Sequence, residues 1–405
     1  MPAEGGTGRP PGARNVRLRM LGGVRRLLVL ISAIVFVDAM LFGALTPLLP
    51  GYVDEFGLSK TGAGVLVGAF GAGALLGGIP GGLAAARYGP KRAVISGLLL
   101  LALASFAFAA AGDAVTLGVA RFVQGFSSTV TWAGALAWIA VAAPRNRRGE
   151  VIGTAFGAAV AGAVLGPMFG GVADLVGIRL AFTIVGAATL VFAASAGLAR
   201  AAPAQTSLPG ALLRAFRDTR FVGGLWLQAL PAMLFGVLIV LAPLALDEGG
   251  WTTLAIASVF FAAGLAEVVL NPLLGRATDR VGRLLPIRAA LAGSVAVAVA
   301  LAAGTGTVVV ALLVCAAAIS FGALYTPSMA LASHRAEGAG LAQGLAFGVV
   351  GSAWAIGELV GPSLGGALAE SYGDPVPYLV GAVLCALTLS ATYAVTTRKP
   401  RPRAA

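Results

Sequence analysis

Apolar runs of about 20 residues, the length a helix needs to cross a hydrocarbon layer, recur twelve times along the chain. Hydrocarbon offers backbone amides and carbonyls no partner, so such runs must fold as helices that satisfy their own hydrogen bonds. The residues are 58% hydrophobic and only 11% charged, too little charge to clothe a soluble protein of 405 residues. The expected fold is an all-α polytopic membrane protein with spans near 27–49, 61–84, 93–111, 114–141, 151–172, 178–199, 221–246, 252–274, 284–303, 308–332, 341–369 and 378–396. The eleventh run is longer than lipid requires, which implies tilt or a start outside the membrane.

The net charge of +12 raises the question of nucleic acid, and the distribution answers it. All but Lys60, Arg121 and Arg179 of the 28 Lys and Arg residues lie at the two ends or in alternate connections, with Asp54, Glu55, Asp113, Asp174, Asp247, Glu248, Glu370 and Asp374 in the connections between. That alternation follows the positive-inside bias, places both termini in the cytoplasm of a plasma or inner-membrane protein, and gives no reason to expect a nucleic-acid partner. A single histidine (His334), two cysteines in apolar runs (Cys315 and Cys385) and the lack of a Walker-type phosphate loop leave no metal site, disulfide or ATP motor to expect. His334 reads as a solvated loop residue, and Trp138 and Trp251, near span ends, as part of an interfacial aromatic belt.

The chain also repeats itself. Arg87 and Gly89 in "GLAAARYGPKR" match Arg280 and Gly282 in "GRATDRVGR", and "GAVLGPMFGG" from Gly162 matches "GELVGPSLGG" from Gly357 at nearly the same separation, close to half the chain. Two such matches imply two pseudo-symmetric six-helix bundles, a common build for secondary transporters with a midplane site between the halves. The expected division is a disordered cytoplasmic N-terminus at 1–26, a bundle at 27–199, a cytoplasmic loop at 200–220, a second bundle at 221–397 and a tail at 398–405. Within the loop, 210–216 has the pattern of a short amphipathic helix on the membrane surface.

Gly73, Gly77 and Gly81 in the second span, and Gly162, Gly166 and Gly170 in the fifth, recur every fourth residue, forming flat stripes against which another helix can pack closely. Gly357, Gly361 and Gly365 do the same in the eleventh. Pro167 and Pro362 each remove a backbone hydrogen bond and permit a bend. Four charges fall well inside spans, away from their ends: Asp38, about 16 Å deep at the helical rise, Arg121, about 10 Å in, Glu267 and Glu358. A carboxylate at such depth costs roughly 2.5–3.5 kcal/mol on insertion scales. Either it serves a static ion pair or hydrogen bond, or it lines a cavity and exchanges a proton against a cationic cargo. Phe42, Gln124, Tyr325 and Trp354 are weaker cavity candidates.

Over essentially its whole length the sequence resembles the major facilitator superfamily, most closely the twelve-helix drug:proton antiporter branch related to vesicular monoamine transporters. Gly82, Arg87, Gly89, Lys91 and Arg92, with Gly275, Asp279, Arg280, Gly282 and Arg283 in the second copy, resemble the family's Gly-x-x-x-Asp-Arg-x-Gly-Arg-Arg/Lys gating loop. Arg121, Gln124 and Gly125 resemble its Arg-x-x-Gln-Gly pattern. Gly162, Gly166, Pro167, Gly170 and Gly171, repeated as Gly357, Gly361, Pro362, Gly365 and Gly366, resemble its antiporter motif. The first loop departs from the pattern: Ala86 stands where the family has the Asp that helps shut the cytoplasmic gate, and Pro90 where it has a basic residue.

The resemblance implies a monomeric secondary transporter and not an enzyme. It implies export of small hydrophobic or cationic compounds by alternating access, driven by a proton gradient and needing no cofactor. Asp38, then Glu358 and Glu267, are the candidates for coupling, with Arg121 tuning them. The alternative is an importer or facilitator of a sugar or other small metabolite.

Overall fold

The computed structural model describes residues 11–144, 147–204, 210–281, 284–304 and 306–397. In the first half the helices are α1 (Pro11–Phe56), α2 (Lys60–Tyr88), α3 (Pro90–Ala110), α4 (Ala114–Ala142), α5 (Arg148–Val176) and α6 (Ile178–Leu198). The short α7 (Ala211–Arg217) leads into α8 (Thr219–Glu248), α9 (Thr253–Val281), α10 (Leu284–Ala302), α11 (Thr307–Gly322), α12 (Tyr325–Gly338), α13 (Gln343–Tyr372) and α14 (Pro375–Thr397). Among the described residues twelve spans are long and apolar enough to cross a membrane. Leu103, Ile184, Leu312 and Leu387 are among the large apolar side chains left exposed, an outer surface suited to lipid.

Two tight connections show how the sequence sets the helix ends. Gly89, at φ +90°, turns α2 directly into Pro90, whose missing N–H is no loss in the first turn of α3. Gly177, at φ +102°, does the same between α5 and α6.

Glycine decides which helices meet. On one face of α2, Gly73, Gly77 and Gly81 lie against α4; a Cβ at Gly77 would sit 2.6 Å from the Phe126 carbonyl, and one at Gly81 2.8 Å from the Val130 Cα. On its other face Gly64, Gly68, Gly71 and Gly78 lie against α13 of the second half, where a Cβ at Gly71 would sit 2.7 Å from the Glu358 carbonyl. Thus α2 packs with its own half through one glycine stripe and with the opposite half through another. Another contact between halves is α5 on α9, where Gly264 meets Val164.

The duplicated motif obeys the pseudo-symmetry. Gly162, Gly166 and Gly170 of α5 abut the backbone of α1 at Phe36, Met40 and Ala44, while Gly357 and Gly361 of α13 abut α8 at Ala229 and Met233, and Gly365 meets Val237. The final glycine of each copy turns outward instead: Gly171 meets Ala257 of α9, and Gly366 meets Lys60 of α2.

Three expectations need correction. Helix α1 begins at Pro11, inside the segment expected to be disordered through residue 26. No further proline interrupts the Arg- and Leu-rich run that follows, so the helix propagates. The tenth run is two helices, α11 and α12, because the Pro327 ring cannot sit beneath the carbonyl four residues earlier, at Ala323. Trp138 is buried, its indole donating to the Arg200 carbonyl at 3.1 Å, so it belongs to the core and not to an interfacial belt. The short α7 buries Ala211 and Ala215 against Ala332, Ala336 and Leu341 and leaves Leu213 and Phe216 exposed.

Candidate functional site

The fourth span carries Arg121, Gln124, Ser128 and Trp132 at helical spacing, so all four project from one face of α4. Asp38 of α1 lies opposite, 3% exposed. Its Oδ2 accepts from Ser128 Oγ at 2.6 Å and from Trp132 Nε1 at 2.8 Å. Both donors are neutral, and among the described residues no cation pairs with this carboxylate. Ser128 and Trp132 escaped the sequence reading, although their register with Arg121 and Gln124 was a signal for them.

Arg121 is 2% exposed and Gln124 1%. Arg121 Nη1 donates to the Leu41 carbonyl at 3.4 Å and to Gln124 Oε1 at 3.2 Å, and its guanidinium lies over the Phe70 ring, 4.9 Å from the centroid. Arg121 Nε and Gln124 Nε2 are buried and meet no acceptor.

Phe70 belongs to a ring cluster that joins the halves. Phe42 of α1 lies 5.1 Å from Phe70 of α2 and 5.3 Å from Trp354 of α13. One helical turn beyond Trp354 comes Glu358, 3% exposed, whose charge is felt by Arg121 across the interface without a direct ion pair. Tyr325 of α12 faces both Glu358 and Glu267 and stacks on Phe235 at 6.2 Å between centroids. Glu267 is half-buried on α9, its carboxyl packed where a Cβ on Gly322 would stand. The structure therefore brings Asp38, Arg121, Gln124, Phe42, Trp354, Glu358, Tyr325 and Glu267 around one central seam, with Asp38 and Glu358 held by opposite halves.

The gating-loop residues disperse. Gly82 is buried, with its Cα 3.5 Å from where a Cβ on Gly348 would stand. Lys91 reaches the end of α6, donating to the Gly197 carbonyl at 2.6 Å and the Ala199 carbonyl at 2.8 Å, so it caps a helix of its own half. Arg87 is exposed above the Tyr88 ring, and Arg92 is exposed. Ala86 and Pro90 line a small gap with Ala342 at the start of α13. In the second copy Gly275, Asp279 and Arg280 lie on α9 and not in a loop, with their side chains outside the described residues, as are Gly282 and Arg283 entirely.

At the end of the bundle opposite the chain termini, the halves are joined by polar contacts the motifs did not indicate. Lys60 Nζ donates to both oxygens of Asp374, at 2.6 and 2.8 Å, and the Thr61 amide at the start of α2 donates to Glu370 Oε2 at 2.9 Å.

Comparison with known proteins places this geometry in a family. The family model described as Major Facilitator Superfamily matches residues 31–347. Multidrug resistance protein 2 of Bacillus subtilis is 24% identical over 358 residues, covering 85% of this chain and 89% of its own length. Quinolone resistance protein NorA of Staphylococcus aureus is 29% identical over 153 residues, 38% of this chain and 39% of that protein. Among solved structures, an inward-facing, unoccupied bacterial homologue of the human lysosomal transporter Spinster superposes with a TM-score of 0.71 at 17% identity over 93% of this chain and 99% of its own. The nucleoside transporter NupG gives 0.68 at 14% identity over 92% and 100%. A twelve-span fold in two halves, a polar seam between them and a family match over most of its length lead to one conclusion: this chain belongs to the Major Facilitator Superfamily and is a membrane transporter.

Proposed function

We propose that the protein exports small hydrophobic or cationic compounds across the cell membrane in exchange for protons, with both termini in the cytoplasm. The observation that carries this reading is the setting of Asp38. A carboxylate withdrawn from water and held only by neutral donors has no partner to keep it ionised, so it takes up either a proton or a cationic group. Proton and cargo compete for that one group, and each displaces the other. The 24% identity to a multidrug resistance protein over most of both chains supports the choice of cargo.

Alternating access then rocks the halves about the seam. Glycine contacts between α2 and α13 and between α5 and α9 suit that motion, because they are close and carry few interlocking side chains. Arg121 and Glu358 stand on opposite halves, so the electrostatic influence of one on the other changes as the halves move.

The test uses purified protein in detergent, where addition of a transported cation such as ethidium is expected to release protons. Asp38→Asn should abolish or strongly reduce that release; release equal to the parent's would remove Asp38 from coupling. In inverted vesicles, cargo entry that dissipates an imposed pH gradient supports exchange, whereas equilibration indifferent to the gradient supports a facilitator.

A further inference from the structure

We propose that the Nε–Nη2 edge of Arg121 and the amide nitrogen of Gln124 form a receptor for a carboxylate on the transported compound, selecting aromatic zwitterions over simple cations. This deepens the export reading and rests on it.

The argument begins with donors that have nothing to bind. Both of the guanidinium's contacts with protein oxygen, the Leu41 carbonyl at 3.4 Å and Gln124 Oε1 at 3.2 Å, fall on Nη1. Arg121 Nε and Gln124 Nε2 are buried and meet no protein acceptor, and among the described residues no protein oxygen is bonded to Nη2 either. An unmet buried donor costs about 1–3 kcal/mol, more when it is charged, so an acceptor arriving there is strongly favoured.

The free edge also has a shape. Parallel N–H groups on Nε and Nη2 match the two oxygens of a carboxylate side-on, a geometry that a lysine cannot offer. Ring packing against Phe70 occupies one face of the guanidinium and not its edge, which is buried with the rest of the side chain.

Neighbouring acids do not fill this position. Asp38, on the adjacent α1, is committed to Ser128 and Trp132. Glu358 of α13 acts on Arg121 through its charge, and among the described residues it forms no ion pair with it. Two buried charges of opposite sign on opposite halves, with no ion pair between them, suit a ligand carrying both signs: a carboxylate on Arg121 in the first half, a cationic nitrogen at Glu358 in the second. Arg121 packs on Phe70, Phe70 lies 6.3 Å from Trp354, and Trp354 is one helical turn from Glu358, so aromatic rings, Phe42 among them, link the two charges and suit an aromatic ligand.

The experiment titrates purified full-length protein with rhodamine B, an aromatic zwitterion at neutral pH, and with its ethyl ester, a cation sharing the same ring system, reading fluorescence polarisation. The parent is expected to bind rhodamine B at least about tenfold more tightly than the ester. Arg121→Lys and Gln124→Leu should each collapse that ratio toward unity. Because both affinities come from one preparation, a loss of folded protein cancels.

A parent with equal affinity for both dyes, or a ratio that survives both substitutions, overturns the proposal. So does a ratio that collapses in Glu358→Gln and not in Arg121→Lys. The export reading fails separately: inverted vesicles that accumulate neither dye under an imposed pH gradient sink it, while the binding ratio still stands.

Discussion

Gly171 of α5 and Gly366 of α13 hold equivalent places in the two halves, and each faces the half it does not belong to, Gly171 against Ala257 and Gly366 against Lys60. Their predecessors Gly170 and Gly365 face inward, toward α1 and α8. One copy of the motif therefore serves two interfaces. Leucine at Gly171 or Gly366 should let each half fold and hinder their approach. A Cβ at Gly171 would stand 2.9 Å from that of Ala257, so the halves must separate or strain by roughly 1–3 kcal/mol. The expected outcome is normal membrane expression with transport lowered at least severalfold. Parent-level transport from both variants would show that the seam has slack.

Asp38, Ser128 and Trp132 separate holding a carboxylate from using it. Asparagine at position 38 can still accept from both donors, so Asp38→Asn should retain thermal stability while losing proton exchange. Trp132→Phe and Ser128→Ala keep the acid and each remove one hydrogen bond, costing about 1–3 kcal/mol of stabilisation of its ionised form. Both variants should move the pH midpoint of cargo binding upward, since losing donors to the ionised form favours the protonated one. A midpoint unchanged in both would place the titrating group elsewhere.

Lys60 and Asp374 link the halves at the end remote from the termini, with side chains about a third exposed. Exposed pairs of this kind contribute roughly 0–1 kcal/mol. Asp374→Asn should therefore raise labelling of a cysteine placed at Ser363, in a background lacking Cys315 and Cys385, by no more than about fivefold. High salt should reproduce part of the effect in the parent. Labelling that falls on substitution would contradict a closing role for the pair.

At the other end, Lys91 and Trp138 tie the chain leaving α6 to its own half, through the Gly197, Ala199 and Arg200 carbonyls. Trp138→Phe removes a buried donor and should cost about 1–3 kcal/mol. Lys91→Met should speed proteolysis between residues 200 and 204 and leave cargo affinity near the parent's. A large change in cargo affinity would mean that Lys91 acts on the gate.

Hydropathy was enough to set the number of spans, because the bilayer fixes the length and polarity of each, and the matching motifs half a chain apart showed the two-fold repeat. The glycine pattern marked the helices that pack closely: Gly73, Gly77 and Gly81 do line one contact of α2. It did not show that Gly64, Gly68, Gly71 and Gly78 line a second contact with the opposite half, because a one-dimensional spacing carries no partner. The same limit hid Lys60–Asp374, whose members lie at opposite ends of the sequence. Asp38, Arg121 and Glu358 stood out because a charge inside an apolar run is costly wherever it points. What each charge meets depends on helix rotation and on which half a neighbour comes from. Asp38 finds Ser128 and Trp132, Arg121 keeps an unmet edge, and Lys91 caps α6; only the packing of whole helices fixes those outcomes.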